Sequence, residues 1–506
     1  MLNQHLQELA DRRSESSERR RLRIIIIGAG MAGVLSGIKL REAGEHDFVI
    51  YEKAHAIGGT WRDNTYPGLA CDVPSHVYTY SFEPNPDWTS YYPPGPEIRA
   101  YFERTARKYG VLDNIRFGEE VLSCHFADGR WRVRTSGGIA DEADIVIAAT
   151  GVLHHISYPQ IAGLDSFAGA MFHSARWDHS RSLNGKRIGI IGNGSTGVQL
   201  VSALSKLDCQ VKLFQRTPQW IIPIENTPFT EADRARLRAD RNELLALQRN
   251  PEYWQLIINY THGITEPDSP FMREIQALCL ANLQDTVADP ALREKLTPNY
   301  RAGCKRIVYS TDFYHAIQRP NVTLVTEGIE RVEPAGVRTA QGELHELDIL
   351  VLATGFKADS FLMPTDVRGS NGLELAHYWR ERPRAYLSIT MPNFPNLFLL
   401  NGPNGPVGNF SLIDIAEHQW NYISQLIRTV AARPGAAIVV DERAMEEFER
   451  ERIAAAKRTV WATGCHSWYL DAQGVPASWP WDRERFLREM NAPDMRAFNL
   501  IGPQQS

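Results

Sequence analysis

The sequence predicts an α/β protein built from two copies of one parallel-sheet unit, with helices inserted into the second copy. Three observations predict it. An apolar strand at 24–27 runs directly into Gly28-Ala29-Gly30-Met31-Ala32-Gly33 and a helical stretch, and a second apolar run at 48–51 ends at Glu52. The same order recurs downstream: a strand at 187–191, then Gly192-Asn193-Gly194-Ser195-Thr196-Gly197, a helix at 198–206, and a strand at 211–215 that ends at Arg216. Two further strands share one spelling, DIVIAATG at 144–151 and DILVLATG at 348–355. Strand, glycine turn and helix in this order form the Rossmann-like dinucleotide-binding unit, so two such units are expected.

The remaining segments follow from this frame. Residues 1–22 are polar and charged and read as an arm without assigned function. Residues 23–155 and 385–506 are expected to form the first unit, and 156–384 the second. Helical spacing of Arg, Glu, Leu and Ala marks an insertion at about 228–300 within the second unit. With 506 residues, 43% hydrophobic and 23% charged, the chain can bury several cores. A net charge of −5 provides no basic field, so nucleic acid is not an expected partner. No apolar run approaches the ~20 residues that cross a bilayer, and four isoleucines running into Gly28 do not make a signal peptide. The six cysteines form no Cys-x-x-Cys pair and no zinc spacing, so reduced thiols, no metal and a cytoplasmic location are expected.

The two units differ at one informative position. In each glycine turn the first glycine permits the bend, the second lets the backbone approach a pyrophosphate, and the third packs helix on strand. The helix N-terminus then offers free N–H groups to the phosphates. Nineteen residues after the third glycine stands Glu52 in the first unit and Arg216 in the second. A carboxylate there accepts hydrogen bonds from ribose hydroxyls but repels a 2′-phosphate, which a guanidinium binds bidentately. Gly58-Gly59-Thr60-Trp61, then Tyr66-Pro67-Gly68 and Asp72, follow Glu52 and resemble the second pyrophosphate contact of FAD enzymes. FAD is therefore assigned to the first unit, through Gly28, Gly30, Gly33, Glu52, Gly59, Trp61 and Asp72. NADPH is assigned to the second, through Gly192, Gly194, Ser195, Thr196, Gly197, Arg216 and Thr217.

An FAD unit followed by an NADPH unit suits disulfide reductases as well as oxygenases. Reductases need a cysteine pair beside the flavin; none is visible in the sequence, which points to dioxygen as oxidant. The stretch from Phe167 through Gly169, His173 and Trp177 to Asp178 reads, from its composition, as a linker. It nevertheless matches F-x-G-x-x-x-H-x-x-x-W-(P/D) at every position. With the Gly58–Asp72 stretch it is similar to the paired fingerprints of type I Baeyer–Villiger monooxygenases, and the resemblance runs from about residue 22 to about 490.

That resemblance implies a catalytic pair, Arg306 over the flavin with Asp72 orienting it, and places Lys305 beside Arg216 at the 2′-phosphate. It implies a hinge role for His173, attack on a small-molecule ketone by a C4a-peroxyflavin formed with O2, and an ester or lactone as product. The loop 401–409 resembles the flavin-side loop of the family. The tail, Ser467-Trp468-Tyr469-Leu470-Asp471 with Trp479-Pro480, resembles the branch that includes hydroxyacetophenone monooxygenase, with Trp468 either at NADP or substrate or in the core. An N- or S-oxygenating flavin monooxygenase is the alternative. The ketone and the oligomeric state are not legible in the sequence.

Overall fold

The computed structural model describes residues 21–465 and 467–502; most of the expected arm, residues 1–20, lies outside them. Two five-stranded parallel sheets form the frame. The first contains β1 (Ile24–Ile27), β2 (Phe48–Glu52), β3 (Ile115–Phe117) and β4 (Ile145–Ala148). The second contains β5 (Ala170–His173), β6 (Arg187–Ile191), β7 (Gln210–Phe214), β8 (Val322–Val325) and β9 (Ile349–Leu352). A late strand, β10 (Leu397–Leu399), completes the first sheet in the order β10-β4-β1-β2-β3. The second sheet runs β8-β7-β6-β9-β5.

The central strands are covered on both faces, which is why they read as unbroken apolar runs. Ile24, Ile25 and Ile26 are fully buried, as are Ile145, Val146 and Ile147. Ile24 stands in register with Phe48 on one side and Ile145 on the other. The repeated Asp before each ATG strand also gains a cause. Asp144 accepts the Arg23 N–H at 2.9 Å, and Asp348 accepts the Arg187 N–H at 2.9 Å, so each pins the start of the neighbouring central strand.

The fingerprint from Phe167 to Asp178 is not a linker. Ala170–His173 within it form β5, the edge strand that pairs with β9, and Ser174–Arg176 a short helical turn. Gly169 is required there, since a Cβ would lie 2.5 Å from the Asp348 carbonyl. Phe167 packs on the second sheet's outer cluster, and Trp177 is buried beside Phe172 in its inner one. Asp178 closes its own turn by accepting from Ser180 and Arg181.

The return to the first unit, expected at 385, occurs earlier. Asp366–Arg368 already pairs with the strand Val121–Ala127, which belongs to a four-stranded sheet beside the first one. Leu362, Val367 and Trp379 share a core with β1, β4 and β10, so packing fixes the crossing before residue 362. The insertion is helical throughout, with helices Glu231–Ala239, Arg241–Gln248, Pro251–Thr265, Pro270–Thr286 and Pro290–Leu296. No described helix is long and apolar enough to cross a membrane.

Candidate active site

Two helices begin at the glycine turns, α1 (Met31–Glu42) and α2 (Ser195–Leu204). The second starts at Ser195, three residues before the expected position, so Ser195, Thr196 and Gly197 form its first turn. Neither helix has a side-chain cap; the N-cap residues are Gly30 and Gly194. Every helix of the insertion, by contrast, is capped by a side chain: Thr230, Asp240, Asn250, Ser269 or Asp289. The glycine turns thus leave their first N–H groups available to an anion, where the helix dipole adds partial positive charge.

The glycines divide into two roles. Gly28 and Gly192 have φ of +100° and +108°, and a Cβ on either would strike the carbonyl oxygen of Ala149 or Ala353, in the ATG ends of β4 and β9. At Gly33 and Gly197 a Cβ would fall 1.9 Å and 2.1 Å from the carbonyl oxygen of the turn's first glycine. Gly30 and Gly194 are different. A Cβ at Gly30 would meet only the Gly59 Cα at 3.7 Å, and at Gly194 nothing within 4 Å. Space is kept there for something other than protein, which fits a pyrophosphate. Gly30→Ala is therefore expected to fold normally and to lose FAD during purification, whereas Gly33→Ala is expected to lose the fold. Flavin absorbance beside the far-ultraviolet circular dichroism spectrum separates the two, and a fully flavin-loaded Gly30→Ala protein would remove the first assignment.

The elements after β2 complete the first turn. The Gly58 N–H donates to the Ala29 carbonyl at 3.1 Å, bringing the GG element onto the glycine turn. Glu52 is buried; its carboxylate accepts from the Ala29 and Ala54 N–H groups and pairs with Arg62 at 3.1 Å. Trp61 donates its indole N–H to the Tyr78 hydroxyl at 3.1 Å. Around the 401–409 loop four buried side-chain atoms have no partner among the described residues: Asn401 Oδ1, Asn409 Oδ1, Ser411 Oγ and Gln419 Nε2. Such orphans are uncommon in a finished core, so the loop also fits a polar ring such as a flavin.

In the second unit Arg216 is exposed and has no ion pair among the described residues. Lys305 stands near it: its pKa is lowered by burial and by the Arg216 charge, and its ammonium lies 4.7 Å from the Tyr300 ring centre. Two neighbouring cations without a carboxylate suit a phosphate dianion. Asn193 and Gln215, which carried no sequence signal beyond their place in the turn and strand, hold this corner together. Asn193 donates to the Gln215 side chain at 2.9 Å and to the Thr217 carbonyl at 2.8 Å.

The two units meet through the segment after Trp61. The Tyr66 hydroxyl donates to Gln199 on α2 at 2.8 Å and accepts from Thr196 at 3.3 Å. A Cβ on Gly68 would strike the Gln199 carbonyl at 2.8 Å, so only glycine allows this approach. The segment thereby delivers Asp72 to the second unit. Arg306, 234 residues away, donates Nε and Nη2 to Asp72 Oδ2 at 2.9 and 2.5 Å. The Asp72 charge raises the Arg306 pKa, so the guanidinium stays charged. The pair is partly open, with side-chain exposures of 34% and 27%.

The expectation of six free thiols is corrected here. Cys304 and Cys465 form a disulfide across 161 residues, while Cys71, Cys124, Cys209 and Cys279 are free and buried. The sequence hid the pair because nothing in its spacing announces it. The bond ties the Lys305-Arg306 loop to the tail, where Tyr469 is buried and stacked on Trp461 with ring centres 5.0 Å apart. Trp468 is 45% exposed, which rules out the core reading. With a cysteine pair beside Arg306, the cysteines no longer exclude a disulfide reductase. Alkylation under denaturing conditions is expected to modify four cysteines without a reductant and six with one, read by intact mass; six without reductant would contradict the bond.

His173 ends β5, fully buried, at the crossing of the two connections between units. There Ser157 donates its N–H to Gly355, and Ile156 bridges Phe356. Its ring lies against Tyr158 and Phe356, and its Nδ1 accepts the Ala175 N–H at 3.1 Å. Burial lowers its pKa from 6.5 to about 4, and burial also lowers those of His76 and His154 to about 4. All three are neutral in the folded state at pH 7 and would bind protons more readily unfolded. Stability is therefore expected to fall as pH drops from about 6.5 toward 4. A flat thermal midpoint across that window would contradict it. Among the described residues one group has metal-ligand spacing, His262, Asp482 and Glu484, at the outer surface. Asp482 there already caps the helix that begins at Arg483.

Comparison with known proteins decides what the shared geometry left open. A family profile described as flavin-binding monooxygenase-like matches residues 21–227. An uncharacterised monooxygenase of Mycobacterium tuberculosis is 45% identical over 457 residues, 90% of this chain and 92% of the relative. A Baeyer–Villiger monooxygenase of Streptomyces coelicolor is 37% identical over 488 residues, covering 95% and 93%. The crystal structure of cyclohexanone monooxygenase from Rhodococcus sp. Phi1 bound to NADP+ superimposes with a TM-score of 0.83 at 29% identity, covering 95% of this chain and 99% of that one. The reductase reading falls away, and the chain belongs to the Baeyer–Villiger monooxygenases, as an NADPH-dependent flavin monooxygenase with FAD and NADP domains.

Proposed function

We propose that this chain oxidises a small ketone, with Asp72 and Arg306 as its catalytic pair. The balance is ketone, O2, NADPH and a proton in, and ester or lactone, NADP+ and water out. FAD, reduced by NADPH, supplies the activation of O2. The protein's own contribution is position and charge.

Gly28, Gly30, Gly33 and Glu52 would hold the FAD pyrophosphate and ribose, with Gly59 and Trp61 closing the turn. Gly192, Gly194, Ser195, Thr196 and Gly197 would hold the NADPH pyrophosphate, with Arg216, Thr217 and Lys305 on its 2′-phosphate. Arg306 is a fixed cation at the meeting of the two units. It stabilises the negative charge that grows on the carbonyl oxygen as the new C–O bond forms. Asp72 keeps the guanidinium aimed, and His173 sits where the units pivot. Nothing in this scheme calls for nucleic acid.

The single observation behind the reading is the Asp72–Arg306 contact, one partner from each unit. The test supplies NADPH, O2 and a panel of ketones and sulfides and follows products by mass spectrometry. Esters or lactones are expected. Sulfoxides alone would favour the N- or S-oxygenating alternative.

A further inference from the structure

The Asp72–Arg306 pair is surrounded by tyrosines whose hydroxyls the fold does not use. Tyr92 lies on the loop bonded to the Asp72 backbone segment, since the Cys71 N–H donates to Pro93 at 2.9 Å and the Ser75 N–H to Tyr91 at 2.7 Å. Tyr309 follows Arg306 by three residues in the short strand Val308–Tyr309, and its ring centre is 6.2 Å from that of Tyr92. Tyr260, from the insertion helix Pro251–Thr265, packs against two apolar clusters, one containing Cys304 and the other Ile307, the residues on either side of Lys305-Arg306. All three feel the charge of Asp72.

Their hydroxyls have no hydrogen-bond partner among the described residues, and none is sealed from solvent. Phenylalanine would fill the same core space, so packing does not explain the oxygen atoms. Burial raises all three pKa values, which keeps the hydroxyls protonated and able to donate. A purely hydrocarbon ketone filling this space would strand them, and a site whose polar groups are left unpaired rejects such a ligand.

We propose that the ketone taken by this site carries, besides its carbonyl, a second hydrogen-bonding oxygen received by Tyr92, Tyr260 and Tyr309. This rests on the ketone-oxidising reading above and names its substrate class: hydroxylated, ether or ester ketones in preference to plain cycloalkanones.

The test uses the FAD-loaded enzyme with cyclohexanone and 4-hydroxycyclohexanone, which match in ring size. Ketone affinity is measured by titration calorimetry without NADPH, and lactone yield with NADPH and O2. The hydroxyketone is expected to bind and react roughly tenfold or more better. Tyr260→Phe and Tyr309→Phe are expected to abolish that preference while leaving FAD content and the KM for NADPH unchanged. Equal affinity for the two ketones, or variants that change the NADPH KM instead, would overturn the pocket assignment even if lactone forms. A binding preference that vanishes in the variants, with no lactone from either ketone, would support the pocket and contradict the oxidation reading.

Discussion

Arg306→Ala is expected to lower ester formation about a hundred- to thousandfold while NADPH consumption continues and O2 is released as hydrogen peroxide. Hydride transfer needs no cation at this position. Negative charge grows on the carbonyl oxygen only in the later step, so a group acting there changes that step alone. The structure adds a reason why no neighbour can substitute. Arg306 is held by two hydrogen bonds to one carboxylate oxygen, and the nearby Lys305 ammonium lies over the ring of Tyr300. Asp72→Ala is expected to give a milder uncoupling, because the cation remains but loses its aim. Product yield and peroxide yield per NADPH, measured side by side, check both variants. An Arg306→Ala enzyme that forms ester at the native rate would contradict the role.

Arg216→Ala is expected to raise the KM for NADPH about ten- to hundredfold and to leave the KM for NADH nearly unchanged. A charge-assisted hydrogen bond is worth about 1.5–3 kcal/mol, which is the whole of that range. Arg216 is exposed and engages no carboxylate among the described residues, so its removal strips no ion pair from the fold. Lys305→Ala is expected to act in the same direction. Its ammonium is partly desolvated beside a like charge, a cost that a bound phosphate would offset. Steady-state kinetics with both nucleotides decide the matter. Equal losses with NADPH and NADH would move the 2′-phosphate elsewhere.

Much of the frame was legible because each feature is local. The glycine turns, the flanking isoleucine runs and the Glu52–Arg216 contrast lie within single strand–turn–helix units, where spacing alone carries the geometry. The doubled DIVIAATG and DILVLATG strands were legible as repeats, although the work of their Asp residues, pinning Arg23 and Arg187, needed the sheets. What was missed is long-range. The Cys304–Cys465 bond spans 161 residues, and the pairing of Asp366–Arg368 with Val121–Ala127 moved the expected boundary at 385. The segment from Phe167 to Asp178 looked like a linker because an edge strand is short and only half apolar. Arg306 itself would be an ordinary arginine by composition. Its meaning came from a family resemblance, and its partner Asp72 reaches it only because Gly68 lets the first unit dock on α2.

The most direct measurement of the central claim supplies the native enzyme and Arg306→Ala with NADPH, a ketone that the native enzyme oxidises, and 18O2, and weighs the product. The native enzyme is expected to give an ester carrying one labelled oxygen for each NADPH consumed. The variant is expected to consume NADPH and return the label as hydrogen peroxide. Labelled ester from Arg306→Ala at the native yield, or an unlabelled ester from the native enzyme, would contradict the account.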